Sequence, residues 1–572
     1  MRHPILLSVA LLFAGIAASA QNLNPVVEVT NTYEQAATGI DKPEQLIAVP
    51  DSLLKFNFDM DYEMRTTPYK GAYEFNPYLV ELNPMPRITG EGTLLVRLGA
   101  GYGLHPELDA VWSPLHKDNF RLNLYANHHS YFGQYRTVDL DVDNYFRGFK
   151  ENLYGGSDSN TSAGVNTLLN WKGGTWTADL HYQHLLASDK DSGYRWGTEF
   201  QHHVIVAQTR VKSAPQNKFY YNLGVRGNYL MRNDGLKGGQ LKVDGGIGSN
   251  GRSQVRLDFL TDAIFTQNGQ AGQFGFIPRY IFRIGDLHLN LGVKVVFTFR
   301  SEEDFYPNKG GYVFPDAHLE YRVVPEDFIL YASATGGNKD TGYAPLLMQN
   351  HFLPSFIKNI NSCGFDFEVE HVNLAAGARG NIGRRFHYDT KLGYALYSNA
   401  VLWGLTFEQG FMGGLEMHPN LYRAGYGLFY VDFQGGWKSE QLDIDAHLRY
   451  QSASLKGPSR YTEEVWDKLV SRQIFAPAAF TAQARVAYNW ADRIKVGVDL
   501  DASTDRLTQP VVDIEPYGLP GYADLGLFGE YGFTRRFAFW LRVGNLLNQD
   551  IQRTPFHSER GIYFTAGVQY RF

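Results

Sequence analysis

The sequence ends in Gly561-Ile562-Tyr563-Phe564-Thr565-Ala566-Gly567-Val568-Gln569-Tyr570-Arg571-Phe572. Every second residue, counted back from the terminal Phe572, is apolar, and most of the others are polar or glycine. A period of two predicts a β-strand with one apolar face. That face reaches the last residue, where no further chain follows to cover it. A transmembrane barrel strand shows such a face to lipid, whereas the alternative is the last strand of a soluble β-sandwich.

The composition fits strands that have one lipid-facing side and one wet side. The 572 residues carry a net charge of -6 and contain 15% aromatic residues and 59 glycines, with a mean hydropathy of -0.30. Aromatic girdles at two membrane interfaces and a polar inner face produce this mixture. The near-neutral charge gives no indication of a nucleic-acid partner.

The N-terminus predicts export from the cytoplasm. Residues 1–20 combine a basic start at Arg2, an apolar run over residues 5–18 and the small-residue pattern Ala18-Ser19-Ala20. This pattern is typical of a cleaved signal peptide, and the run is short for the alternative, a membrane helix. No cysteine directly follows the expected cleavage site, and the single Cys363 excludes an intrachain disulfide. Without a later long apolar run, a membrane-spanning chain must use strands.

Residues 21–92 are expected to form a separate periplasmic lead-in. The first part is polar and contains several prolines, so it predicts little core of its own. An alternating piece over residues 54–64 and an aromatic-rich piece over residues 68–78 follow. They are candidates for filling part of a lumen. The barrel itself is expected over residues 93–572.

Three internal stretches show the two-residue period clearly. Apolar residues recur at alternate positions over residues 219–231, 287–299 and 442–450, with polar or charged residues between them. A barrel places the polar set in its lumen. The candidate lumen-lining residues are Arg226, Lys294, Asp443, Asp445, Arg449, Arg485, Asp499 and Asp501. Their mixed charges suit a polar interior and select no single ion.

The spacing of the connections predicts the number of strands. Short turns are expected near 115–118, 172–175, 214–217, 249–252, 284–286, 324–327, 382–385, 435–438, 490–493 and 533–536. Longer polar connections are expected between them, including 136–161, 188–198, 300–311, 337–364, 409–419, 452–476, 503–519 and 547–560. Together with a first strand near 93–103 and the closing strand, these turns predict an antiparallel barrel of about 22 strands with both termini periplasmic.

Two C-terminal segments resemble a known family. Arg542-Val543-Gly544-Asn545-Leu546-Leu547-Asn548-Gln549-Asp550 and the ending Gly567–Phe572 resemble the last two strands of TonB-dependent outer-membrane receptors. The element Leu104–Asp109 resembles the TonB-receptor-like barrels of Bacteroidota. The resemblance covers residues 93–572 and implies a barrel for uptake. Since the lead-in is shorter than the plug domain of that family, we expect a barrel without a full plug, and energised uptake stays open.

Candidate chemical sites are weak. Asp139, Asp141 and Asp143 alternate as in a calcium loop, but Asn144 and Lys150 stand where that loop needs glycine and glutamate. The histidines His181 and His184, and the pairs His128-His129 and His202-His203, split across strand faces. No catalytic or phosphate-binding motif is present. The sequence therefore predicts no enzyme, cofactor or metal site.

Solute passage or uptake across the outer membrane of a Gram-negative bacterium is the favoured function. The alternative is a non-conducting barrel that scaffolds an outer-membrane assembly or a surface-lipoprotein complex. Expected partners are outer-membrane lipid, the barrel-assembly machinery, and a surface lipoprotein or other outer-membrane protein. Val568, Tyr570 and Phe572 are the candidate barrel-assembly signal, because a terminal aromatic strand resembles what that machinery recognises.

Overall fold

The structure is a computed structural model. It describes residues 94–102, 104–140, 149–188, 199–251, 253–266, 269–300, 310–339, 346–347, 351, 367–409, 415–458, 476–491, 493–508, 517–534, 536–553 and 558–572. The predicted signal peptide and periplasmic lead-in lie outside these residues. Among the described residues, no helix is long and apolar enough to cross a membrane.

The described chain consists almost entirely of β-strands. They are β1 (Leu94–Gly101), β2 (Glu107–His116), β3 (Phe120–Leu140), β4 (Phe149–Trp171), β5 (Gly174–Ser188), β6 (Glu199–Ser213), β7 (Phe219–Arg232), β8 (Lys237–Ser249), β9 (Ser253–Thr266), β10 (Gly269–Ile284), β11 (Leu287–Arg300), β12 (Gly310–Val324), β13 (Phe328–Lys339), β14 (Glu368–Ile382), β15 (Phe386–Gln409), β16 (Leu415–Lys438), β17 (Leu442–Pro458), β18 (Phe480–Trp490), β19 (Ile494–Ser503), β20 (Arg506–Thr508), β21 (Tyr517–Leu519), β22 (Tyr522–Gly532), β23 (Phe537–Gly544) and β24 (Tyr563–Arg571).

Twenty-two of these strands form one closed antiparallel sheet. Each strand pairs with the next along the chain, and β19 pairs with β22 past the small β20–β21 hairpin. The sheet closes because Val96 of β1 lies opposite both Ala110 of β2 and Tyr570 of β24. The predicted 22-stranded barrel, with the C-terminal strand closing onto the first, is confirmed. Closure leaves no exposed sheet edge, as a membrane-spanning sheet requires.

The two ends of the barrel differ in the length of their connections. Ten short turns lie at one end, and the longest of them covers residues 214–218. Gly285 and Gly383 take positive φ angles of 57° and 64° in two of these turns, a conformation that glycine adopts without strain. The longer connections, including residues 340–367, lie at the other end. The predicted alternation of short and long connections is therefore confirmed.

Several strands are longer than the sequence predicted. The strands β3, β4, β15 and β16 contain 21, 23, 24 and 24 residues, although about 9–11 residues cross a bilayer. The β3–β4 pairing continues to Leu140 opposite Phe149, so the predicted irregular connection over 136–161 is wrong. The polar composition of residues 136–161 predicted a connection, although Val138-Asp139-Leu140-Asp141 keeps the alternation of apolar and polar residues that a strand requires.

Two smaller expectations are also corrected. The expected irregular connection over 503–519 contains the β20–β21 hairpin, in which Leu507 lies opposite Gly518. The turn expected at 435–438 lies at 439–441, because β16 continues to Lys438. Gly435 and Gly436, inside the predicted turn, instead pair with β17 in the ladder.

Candidate functional site

Hydrogen bonds that pass over an intervening strand identify the inner face of the barrel. The Tyr125 hydroxyl of β3 donates to Asp179 of β5 at 3.1 Å, and the Tyr430 hydroxyl of β16 donates to Asn373 of β14 at 2.8 Å. Asn338 of β13 donates to Gln273 of β10 at 3.1 Å, over two intervening strands. Side chains converge on the concave side of a curved sheet and diverge on the convex side. These polar residues therefore lie on the inner face.

The opposite face is apolar and exposed. In β24, Phe564 and Tyr570 are 50% and 41% exposed, and Phe572 directly after the strand is 56% exposed, whereas Thr565 and Gln569 on the other face are 0% and 1% exposed. The exposed set belongs in lipid in a membrane barrel. Val568 lies on the same face as Tyr570 and Phe572, opposite Leu98 of β1. The role of these three residues as an assembly signal stays a prediction.

Four predicted lumen residues of β17–β19 occupy neighbouring positions on one face. Asp445 lies opposite Arg485, which lies opposite Asp499 in the next strand. The Arg485 Nε and Asp499 Oδ1 atoms are 3.6 Å apart, and Asp445 lies 4.0 Å from His387 of β15. Asp443 lies two residues before Asp445 and so shares its face. These four side chains include both positive and negative charges.

Three other predicted residues lie on the same inner side. Arg449 pairs with Asp432 of β16 at 3.4 Å, next to the inward Tyr430. Lys294 of β11 donates to the Gly336 carbonyl of β13 at 2.7 Å, over β12. Arg226 of β7 shares its face with Gly224, over which Arg210 and Asp244 pair at 2.8 Å.

The inner wall also contains buried ion pairs that sequence reasoning missed. Arg279 of β10 lies 2.9 Å from Asp258 of β9 and 2.8 Å from Asp316 of β12. Arg379 of β14 pairs with Glu320 of β12 at 2.6 Å. Each of these charges stands among alternating polar positions of its strand, which was an available signal. Their partners lie one or two strands away, so no local pattern in the sequence predicts the pairing.

Arg553 anchors the β23–β24 connection to the inner wall. Its guanidinium lies 2.5 Å from both Asp501 of β19 and Glu559, and 3.7 Å from Asp524 of β22. Burial lowers the pKa of Arg553, but the carboxylates of Glu559 and Asp501 outweigh it and raise the pKa above its ordinary value. Asp501, the last predicted lumen residue, is therefore a structural partner of this connection.

A second buried cluster lies at the seam between the first and last strands. His105, which follows β1, is 1% exposed and lies 2.9 Å from Glu107 and 3.2 Å from Arg560. The Arg560 guanidinium stacks 3.8 Å above the Tyr563 ring. Burial lowers the pKa of Arg560. The interactions with Tyr563 and Asp158 act in the opposite direction, and the net pKa lies above its ordinary value. This cluster joins the β1–β2 and β23–β24 connections inside the barrel.

A cavity of about 320 Å³ adjoins this seam cluster on the long-connection side. Its lining includes Tyr102, Tyr131, Leu153, Asn548, Glu559 and Ile562. Small-molecule pockets begin at about this volume.

The described part of the β13–β14 connection reaches a distant part of the wall. The His351 ring centre is 5.5 Å from that of His202 of β6, seven strands from β13. Phe367 packs against Ile264 of β9 and Ala271 of β10. His202 is 0% exposed and lies on the inward face, which it shares with Arg210. The described residues of this connection therefore contact β6, β9 and β10 on the inner face. Burial and the nearby Arg232 lower the pKa of His351 to about 4.

The other histidine pairs divide across the sheet. His181 is 2.7 Å from Asp179 on the inner face, whereas His184 stacks on His203 with 4.9 Å between ring centres. Asp141 and Asp143 of the calcium-like pattern lie outside the described residues. Among the residues that are described, no group of three or more histidine, cysteine, aspartate or glutamate residues is placed to hold a metal ion.

Together, an apolar outer face, a charged inner face and full closure define a transmembrane β-barrel of the outer-membrane type. Neither a protein-family model nor a curated protein matches the sequence. Solved structures with this fold are outer-membrane receptors and transporters, and the resemblance to TonB-dependent receptors is confirmed at the level of the fold. The sequence identities are 11–12%, so the likeness concerns the fold alone.

Three of these structures illustrate the match. The siderophore receptor PirA from Acinetobacter baumannii has a TM-score of 0.57 at 11% identity, over 85% of this chain and 81% of that one. The FrpB iron transporter from Neisseria meningitidis has a TM-score of 0.61 at 11% identity, over 84% and 82%. The ferric-catecholate import receptor Fiu from K12 E. coli has a TM-score of 0.58 at 11% identity, over 84% and 82%.

Proposed function

We propose that this protein carries a solute across the outer membrane of a Gram-negative bacterium. The charged inner face of the closed 22-stranded barrel is the observation that carries the proposal. A barrel of this size encloses a lumen wide enough for a solute unless something fills it. The paired charges offer polar groups that can replace the hydration water of a solute. Neither positive nor negative charge dominates along the wall.

Metal ions and metal chelates are the first solutes to test. Structures with the same fold are described as siderophore, ferric-catecholate and iron receptors or transporters, and one as a copper transporter. At 11–12% identity those names guide the choice of solute only. Both signs of charge on the inner wall suit chelates that carry distributed polar groups.

The proposed orientation places the short turns and both termini in the periplasm. Leu94 and Phe572 exchange backbone hydrogen bonds at 3.2 and 2.8 Å, so the first and last strands meet at the short-turn end. The long hairpins then face outward. Outer-membrane barrels share this polarity of short inner turns and long outer loops. The lipid would surround the apolar outer face of the wall. The assembly machinery and a lipoprotein or other outer-membrane protein are the proposed protein partners.

Conductance of the purified full-length protein in planar bilayers tests the proposal. Stepwise channels, or solute-dependent uptake into proteoliposomes, are expected. The rival function is a scaffold for an outer-membrane or surface-lipoprotein assembly. A barrel that inserts, stays silent toward every solute and is purified with a stoichiometric partner would support the scaffold and reject transport.

A further inference from the structure

His202 is a buried polar side chain without a partner. It is 0% exposed, and neither ring nitrogen has a hydrogen-bond partner. Leaving a buried polar atom without a hydrogen bond is destabilising. In native proteins such atoms commonly mark a ligand, an ion or an ordered water. The position of His202 therefore requires an explanation that the barrel wall alone does not supply.

The ring of His351 approaches His202 from another element. The ring centres are 5.5 Å apart and the planes are inclined by 50°. Two imidazoles that share one ion at about 2.0–2.1 Å per metal–nitrogen bond have ring centres roughly 5–6 Å apart. The observed separation matches this value. One ring comes from the wall and the other from the β13–β14 connection.

The guanidinium of Arg232 acts on both rings and opposes positive charge there. Asp234 offsets it, because it pairs with Arg232 at 2.6 Å, and the guanidinium stacks 4.0 Å above the Phe200 ring. Neutral imidazole is the form that binds metal.

We propose that His202 and His351 bind one late first-row divalent cation, Cu²⁺, Ni²⁺ or Zn²⁺, which links His351 of the β13–β14 connection to β6. Imidazole nitrogen suits these ions, with Cu²⁺ bound most tightly. Two protein ligands leave further coordination positions for water or for a group on a solute. The site does not depend on transport, because ion binding is measurable on the purified barrel.

Calorimetric titration of the full-length protein with NiCl₂ tests the site. The protein must carry a tag other than polyhistidine, since the chain already has 17 histidines. We expect one site per chain that weakens by about tenfold or more in His202→Gln and in His351→Gln. His203→Gln is the matched control, because this neighbour lies on the outer face against Tyr182. Its affinity is expected to equal that of the wild type.

Electron paramagnetic resonance of a sub-stoichiometric Cu²⁺ sample gives an independent measurement. Two coordinated imidazole nitrogens are expected in the wild type and one in His351→Gln, which alters a connection and leaves the strands unchanged. Equal affinity in the wild type and both variants would overturn the proposal, as would a copper spectrum that His351→Gln does not change. If the barrel shows no conductance but still binds the metal ion, transport is rejected and the proposed metal site is supported.

Discussion

Arg553 and Asp501 form an ion pair with 2.5 Å between Nη1 and Oδ2, and both side chains are at least nine-tenths buried. The pair joins the β23–β24 connection to β19, although 52 residues separate the two positions. Glu559 and the Tyr522 hydroxyl complete the shell around the guanidinium at 2.5 and 2.7 Å. The connection before the closing strand is thus fixed by one cation among several carboxylates.

Replacing Arg553 by methionine is expected to release this connection. The change leaves buried carboxylates without a counter-charge, and loss of one partner of a buried pair costs about 3–5 kcal/mol. Limited proteolysis in detergent should cut residues 545–562 faster in Arg553→Met than in the wild type. Arg485→Met is the control, because the more exposed Arg485–Asp499 pair at 3.6 Å contributes less than about 1 kcal/mol. Equal cleavage of the two variants would contradict the prediction.

Gly567 has no room for a side chain in the closing strand. A Cβ atom there would lie 1.9 Å from the Leu98 carbonyl oxygen and 2.6 Å from Trp540. Gly567→Val is therefore expected to separate β24 from β1 and to lower the yield of folded barrel. Gly529→Ala of β22 is the control, since its Cβ would meet nothing closer than 3.9 Å. Heat-modifiable gel mobility of outer-membrane fractions measures the yield, and normal mobility for Gly567→Val would refute the clash.

Removing Tyr570, Arg571 and Phe572 is expected to abolish insertion. The deletion takes away the hydrogen bonds between Phe572 and Leu94 and the proposed aromatic assembly signal. Fractionation should recover the truncated protein outside the outer membrane. Phe572→Tyr keeps the backbone bonds and an aromatic ring, so it is expected to insert normally. A truncated chain that still reaches the outer membrane in heat-modifiable form would contradict the prediction.

The strands were predictable because their signal is local. A lipid-facing side chain at every second position identifies β7, β11 and β17 without knowledge of any partner strand. The short turns then fixed the number of strands. The error at 136–161 arose from its polar composition, although residues 138–141 keep the alternation of apolar and polar residues.

The contacts between distant residues on the inner face were not predictable in this way. His202 and His351 lie 149 positions apart, and nothing in the neighbourhood of either residue points to the other. Arg553 lies in an irregular connection, where no alternating pattern predicts the direction of its side chain. The sequence predicted eight charged residues for the lumen side, but it did not predict the other charges of the inner wall or which of them pair. Pairing depends on barrel closure and on where the long connections fold.

Acid is expected to weaken the seam through His105. Burial lowers the pKa of His105 below its ordinary value of 6.5, so the ring is neutral in the folded barrel and more readily protonated when unfolded. The unfolded state then binds more protons below pH 6.5, and stability falls as the pH decreases from that value. The midpoint of heat modification should be lower at pH 5 than at pH 7.5. His105→Gln should reduce this difference, and an unchanged difference would exclude His105 as its source.

Ion selectivity is expected to follow the charges of the inner wall. Lys294 contributes a cation over β12 toward Gly336, so Lys294→Gln removes one positive charge from the proposed pathway. The reversal potential in a salt gradient across a planar bilayer should shift toward cation preference. Lys117→Gln, in a turn at the short-connection end, removes the same charge outside the pathway and is expected to leave the potential unchanged. Equal potentials for wild type and Lys294→Gln would show that ions do not pass along this wall, and an open lumen at this position would then be rejected.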